Sequence, residues 1–190
     1  MGLITFNDVT WDDEDPEQVK KVLALNLSNE YATYVDLDVR SISSSMNLRQ
    51  VDQHVYRTDQ PNAEAWPIFK ALGVQAVMCL RKDGEDGGFS LKDESDAVLA
   101  AGIGEFVSIP VGELPYDAPT KAQMAEGVAM LQDGRVWVVH CRRGCDRTGT
   151  FVACYRVTTK ELSKADAIKE ATACGMSRLE FAMHDFLEDY

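Results

Sequence analysis

Little in this 190-residue chain points to a membrane, a metal or a nucleic acid. No apolar run reaches the roughly 20 residues that a membrane-spanning helix needs. There is no CxxC pair and no HExxH, and His54 and His184 sit in no partner pattern, so neither a metal nor a cofactor is expected. Basic residues are outnumbered, 19 Lys and Arg against 31 Asp and Glu, for a net charge of −12. That balance argues against general affinity for nucleic acid or acidic membranes, although a local basic loop can still take an anion. Five cysteines, odd in number and without paired spacing, fit a reducing cytoplasm better than a disulfide framework. Met1 to Asp8 has neither a basic start nor a long apolar core, so no signal peptide is expected and the expected location is cytoplasmic. Repeats and low-complexity segments are also missing. Oligomeric state is not legible.

What is present centres on one stretch, Val136-Trp137-Val138-Val139-His140-Cys141-Arg142-Arg143-Gly144-Cys145-Asp146-Arg147-Thr148-Gly149. The short β-branched run before His140 reads as a buried strand of a parallel sheet, and the run from Thr148 to Tyr155 as a helix opening at about Arg147. The loop between them feeds a helix N-terminus, where unpaired amides and the positive end of the helix dipole cradle an anion. A cysteine at the start of such a cradle, near arginines, is favoured as the thiolate. Arg147 can fold back and hold two oxygens of an oxyanion with its planar fork, and the Thr148 hydroxyl can hydrogen-bond the thiolate. Nucleophile, amides of Arg142, Arg143, Gly144, Cys145, Asp146 and Arg147, and arginine clamp together describe displacement at phosphorus through a cysteinyl-phosphate.

The His-Cys-x5-Arg-Thr-Gly pattern, with Gly144 third after the cysteine, resembles the signature loop of the cysteine-dependent protein tyrosine phosphatase superfamily. Asp146 before the arginine is similar to the form in myotubularin-like lipid phosphatases and in small bacterial dual-specificity-like enzymes. Val55-Tyr56-Arg57-Thr58-Asp59-Gln60-Pro61, then Leu72-Gly73-Val74 leading to Cys79-Leu80-Arg81, resemble the "YRSxQP…gv…vinLR" pattern of those bacterial enzymes. The resemblance covers roughly residues 50 to 175. It implies a metal-independent phosphomonoester hydrolase acting on phosphotyrosine, phosphoserine or phosphothreonine proteins. An inositol phosphate or phosphoinositide phosphatase is the alternative. A non-catalytic phosphate-binding module would have lost the Cys or the Arg, and a rhodanese-like sulfurtransferase lacks the Arg-Thr-Gly ending. The Cys79 stretch also resembles the strand carrying a backdoor cysteine in some lipid phosphatases, so Cys79, ahead of Cys145, is the expected disulfide partner for oxidised Cys141.

The family takes its general acid from a loop two to three dozen residues before the cysteine, here Pro110 to Pro119. Asp117 and Glu113 are candidates there and Asp146 is a third; the choice stays open. His140 is expected behind the loop, bonded to backbone and tuning the thiolate. Arg142 and Arg143 either select a substrate with several phosphates or merely balance acidic neighbours. Arg57, Arg81 and Lys82, at carboxyl ends of expected strands, are candidates for the pocket wall. Trp66, Trp137, Met124, Met130 and Met176 read as packing residues.

In chain order, residues 1–53 read as an N-terminal extension. They hold an expected helix over 16–27, a strand over 31–38 and a loop over 41–45. The expected catalytic domain is 54–190, with strands at 54–57, 74–80, 103–109 and 136–139. Helices are expected at 62–72, 92–101 and 120–131, after the Ser163/Asp166 capping signal up to Gly175, and over 177–187. Strands alternating with helices predict an α/β fold, a central mostly parallel sheet covered on both faces.

Overall fold

The computed structural model describes residues 3–6, 9–12, 47–112, 114 and 116–190. The helix expected over 16–27, the strand over 31–38, the loop over 41–45 and Glu113 lie outside these residues. Near the N-terminus, β1 (Leu3–Phe6) and β2 (Val9–Asp12) form an antiparallel hairpin with Phe6 opposite Val9, an element that the sequence pattern did not suggest.

The main sheet has five strands: β3 (Arg49–Gln50), β4 (Val55–Thr58), β5 (Ala76–Cys79), β6 (Glu105–Ser108) and β7 (Trp137–His140). Their order is β3-β4-β7-β5-β6, antiparallel at the β3 edge and parallel elsewhere. The helices are α1 (Ala65–Ala71), α2 (Leu91–Ala100), α3 (Lys121–Leu131), α4 (Asp146–Thr158), α5 (Lys164–Ala173) and α6 (Phe181–Asp189).

Strand side chains alternate between two cores, as the two-residue period of a sheet requires. Val55, Ala76, Met78, Trp137 and Val139 face one, with Met124 of α3, Phe151 of α4, Ala167 of α5 and Met183 of α6. Tyr56, Val77 and Val138 face the other, with Trp66 and Phe69 of α1 and Val98 of α2. Helices therefore cover both faces, and the expected α/β architecture is the observed one. Parallel strands buried on both sides must be apolar along their length, which is why Trp137-Val138-Val139 is continuous rather than alternating. Trp66 and Trp137 pack in these cores, as do Met124 and Met176.

Thr120 caps α3 through a reciprocal exchange with Gln123, and Ser163 caps α5 by accepting from the Asp166 amide. Two helices start later than their sequence pattern implies. α1 begins at Ala65 because Asn62 spends its side chain on the Glu64 and Ala65 amides in a turn. α6 begins at Phe181, not Ser177, because the Ser177 amide donates to the Asp146 carboxylate and is held toward the loop at the start of α4.

Candidate active site

β7 is paired on both sides, and it delivers Cys141 to the carboxyl end of the sheet, where ligands of parallel sheets gather. Cys141 is 2% exposed. Residues 142–145 turn the chain into α4, whose first residues are Asp146 and Arg147. The turn requires Gly144, with φ +69°; a Cβ there would lie 2.6 Å from the Thr58 carbonyl and 2.7 Å from the Asp59 amide nitrogen. Two bonds tie the loop to the strand beside it. Arg57 Nη2 donates to the Gly144 carbonyl at 2.6 Å, and the Gln60 amide donates to the Arg142 carbonyl at 3.1 Å. Arg57, 1% exposed, is thus a support for the loop and not part of the pocket wall.

A pocket opens on this loop. Its lining is Cys141, Arg142, Arg143, Asp146 and Arg147, with Glu180 and Met183 contributed from the start of α6. Cys141 and Arg147 therefore meet in one pocket. Arg81 and Lys82 do not line it. Arg81 instead bonds Glu85, Asp86 and Gln60 and lies 3.8 Å from the Phe89 ring centroid, while Lys82 is exposed. Both rim arginines meet acids: Arg142 pairs with Asp86 at 2.7 Å and Arg143 with Asp146 at 2.6 Å. Each therefore has an acidic neighbour in reach.

Arg147 is braced by a residue that sequence reasoning passed over. Its Nη1 and Nη2 donate to the two carboxylate oxygens of Glu85, each at 2.8 Å, and Nη1 also reaches the Val111 carbonyl at 3.2 Å. Burial alone would raise the Glu85 carboxyl, but the Arg147 fork, the Lys82 amide and Arg81 hold it down at about 2. The bidentate geometry fixes the plane of the guanidinium. Glu85 sits in the Gly- and acid-rich stretch 83–88, which sequence reading treats as a mere loop; its place just after a strand's carboxyl end was the available signal.

Two of the three candidate acids, Asp146 and Asp117, are among the described residues, and they stand differently. Asp146 is 7% exposed and committed on both oxygens, Oδ1 to the Ser177 amide at 2.8 Å and Oδ2 to Arg143. It positions the loop. Asp117 accepts from the Leu114 amide at 3.2 Å and stands near Glu180. Glu180 itself, not singled out from the sequence, lines the pocket, with Oε2 buried and unpartnered. Burial pushes its carboxyl up, with Asp146 and Asp117 adding to the effect and Arg143 and Arg147 opposing it.

The expected hydrogen bond from Thr148 to the Cys141 thiolate is not formed: Thr148 is fully buried and its Oγ1 has no hydrogen-bond partner. His140 is fully buried behind the loop, as expected, with Nε2 3.3 Å from Glu94 Oε1. Burial lowers its pKa, outweighing the Glu94 charge and the Cys141 backbone, so the ring is neutral. Cys145 donates to the Arg143 carbonyl at 3.2 Å, and burial together with Asp146 raises its thiol.

A model of the family described as a DSP-PTPase phosphatase fused to NAD+ kinase matches residues 27–189. The chain belongs to that family. It is 27% identical over 151 residues to the dual specificity protein phosphatase TpbA of Pseudomonas aeruginosa strain UCBPP-PA14, a match covering 79% of this chain and 62% of that protein. The chain thus spans 62% of the length of this curated relative. A crystal structure of P. aeruginosa TpbA in complex with pTyr superposes with a TM-score of 0.60 at 25% identity, covering 86% of this chain and 89% of that one. The catalytic domain of the PP-IP phosphatase SIW14 from S. cerevisiae, in complex with citrate, gives 0.62 at 16% identity over 77% and 86%. The SIW14 likeness shows the shared fold alone.

Proposed function

We propose that this chain hydrolyses phosphomonoesters through a cysteinyl-phosphate on Cys141. The observation that carries the reading is that Cys141 and Arg147 wall one pocket, with the arginine held in plane by Glu85. Sγ attacks phosphorus, the bond to the leaving oxygen breaks, and that oxygen takes a proton. Arg147 and the amides of the loop hold the equatorial oxygens. Water then attacks phosphorus, the S–P bond breaks, and the water's proton goes to the carboxyl that gave one up. Glu180 is assigned that proton, because it borders the pocket, has an unpartnered oxygen and is biased toward the acid form; Asp117 is its neighbour on the Pro110–Pro119 loop. Asp146, bonded on both oxygens, is set aside as donor.

The substrate class that the rim favours is a phosphoprotein, phosphotyrosine first. Arg142 and Arg143 are neutralised by Asp86 and Asp146, and Arg147 is paired with Glu85, which leaves little net positive charge for a ligand with several phosphates. Beside the pocket, Tyr116 and Phe181 are 81% and 49% exposed with ring centroids 6.5 Å apart, a surface suited to a planar ring. The TpbA structure with pTyr agrees with this reading. Cytoplasmic residence fits the free cysteines, and among the described residues no helix is long and apolar enough to cross a membrane. The test is phosphate release from a phosphotyrosine peptide against an inositol polyphosphate. A kcat/KM at least about tenfold higher for the peptide supports the reading, and the reverse order assigns the pocket to inositol phosphates.

A further inference from the structure

Cys79 is the last residue of β5 and His140 the last of β7, and the two are direct partners in the parallel ladder. Glu94, from the first turn of α2, reaches the same point. One donor atom from each, a sulfur, a nitrogen and an oxygen, lies within 4.8 Å of the other two. Cys79 and His140 are completely buried and Glu94 is 6% exposed. None of the three lines the pocket, and the phosphatase chemistry uses none of them directly.

The cluster is incompletely satisfied. Gln60 Nε2 donates to Glu94 Oε1 at 2.5 Å, and His140 Nε2 lies 3.3 Å from that same oxygen without a hydrogen bond of good geometry, while Glu94 Oε2 has no hydrogen-bond partner. Buried polar atoms are ordinarily paired, so an unpartnered carboxylate oxygen and an imidazole nitrogen without a well-formed bond, gathered with a buried sulfur, leave room for a ligand. A thiolate, an imidazole and a carboxylate are the donor set of a borderline-soft dication with tetrahedral preference. Charge closes as well: two positive charges meet one from Cys79 and one from Glu94, with His140 neutral. We propose that Cys79, Glu94 and His140 bind one zinc-class divalent cation, one residue behind the nucleophile. The Cys79 thiol gives its proton to solvent as the sulfur–metal bond forms, no electron is transferred, and water completes the fourth position. A bound cation would join α2, β5 and β7 at the root of the Cys141 loop. The proposal is independent of the substrate reading, since it concerns binding.

The test titrates Co2+ into the full chain carrying Cys141→Ser, which removes the competing active-site thiolate. One equivalent should develop a thiolate-to-cobalt charge-transfer band, and Zn2+ should bleach it. Adding Cys79→Ser should abolish the band, and Glu94→Gln, which conserves size, should weaken Co2+ binding at least about tenfold. Melting curves confirm that each variant is folded; if the Cys79→Ser protein is not, Glu94→Gln decides alone. A band missing from the Cys141→Ser protein, surviving the loss of Cys79, or indifferent to Glu94→Gln overturns the proposal.

Discussion

Glu85 and Arg147, 62 positions apart in the chain, face each other through two parallel hydrogen bonds of 2.8 Å, with both side chains buried. An arginine bound this way on one edge presents a fixed edge to whatever else it meets. Glu85→Gln keeps the volume and removes the charge. Misplacement of a clamp by about 1 Å can cost about 100-fold in rate, so kcat/KM should fall by roughly 10- to 100-fold. Breaking one side of a buried pair should also destabilise by about 3–5 kcal/mol, read as a lower urea midpoint. Wild-type turnover in this variant would show that the brace does not orient the clamp.

The same pair sets an acid limit. The Glu85 carboxyl, held at about 2 in the folded chain against an ordinary 4.5, is depressed by folding. A depressed carboxyl adds stability that is complete above its unfolded value and is lost as pH falls toward the folded one. Urea midpoints should therefore decline between about pH 4.5 and about pH 2, and decline less steeply in Glu85→Gln. Equal slopes in the two proteins would mean that other carboxylates set the acid limit.

Replacing the nucleophile separates binding from chemistry. Cys141→Ser should abolish phosphate release while leaving the fold and the anion cradle, because a serine hydroxyl stays protonated at neutral pH. Turnover of the wild-type protein should persist in EDTA. Substantial activity in the serine variant would sink the cysteinyl-phosphate mechanism.

Leaving-group dependence identifies the proton donor. Glu180→Gln should slow alkyl phosphates far more than aryl phosphates with good leaving groups, which depart without help. It should also remove the alkaline limb of the rate profile. Asp117→Asn, made in parallel, should have the smaller selective effect; if it shows the larger one, the loop aspartate is the donor and Glu180 only its neighbour.

Gly144→Ala tests the loop geometry. Its φ of +69° and the 2.6 Å approach of a Cβ to the Thr58 carbonyl leave no room for a side chain, and the obstacle is backbone. The expected result is a loss of more than about 1–2 kcal/mol in stability, as for strained backbone generally, with weaker inhibition by inorganic phosphate. An unchanged phosphate constant would show that the loop tolerates repositioning.

Cys141 and Arg147 were legible because everything that defines them is contiguous: strand, loop and helix start fall within Val136 to Gly149. β4, β5, β6 and β7 were legible for the same local reason, short apolar runs bounded by turn residues. The two-residue edge strand β3 was not, since two residues carry no period; it is defined by its antiparallel pairing with β4. Glu85, Glu94 and Glu180 escaped for a different reason. Each reads as an ordinary acid in a chain rich in acids, and only the fold brings Glu85 to Arg147, Glu94 to His140 and Glu180 to the pocket. Thr148 shows the converse error: its spacing was right for the thiolate, but a hydroxyl in the first turn of α4 points where the helix puts it, and there it finds no partner.

β7 lies in the middle of the sheet, hydrogen-bonded to β4 on one side and to β5 on the other. Its amides cannot exchange with solvent unless one of those neighbours lets go, and both neighbours are themselves anchored in the two cores. Amide exchange from Val138 and Val139 should therefore require global unfolding, while exposed turns exchange through local openings. Cys141, which follows β7 directly, is consequently attached to the slowest-opening part of the molecule. Partial denaturation should leave a population divided into fully active and wholly inactive molecules, with few in between.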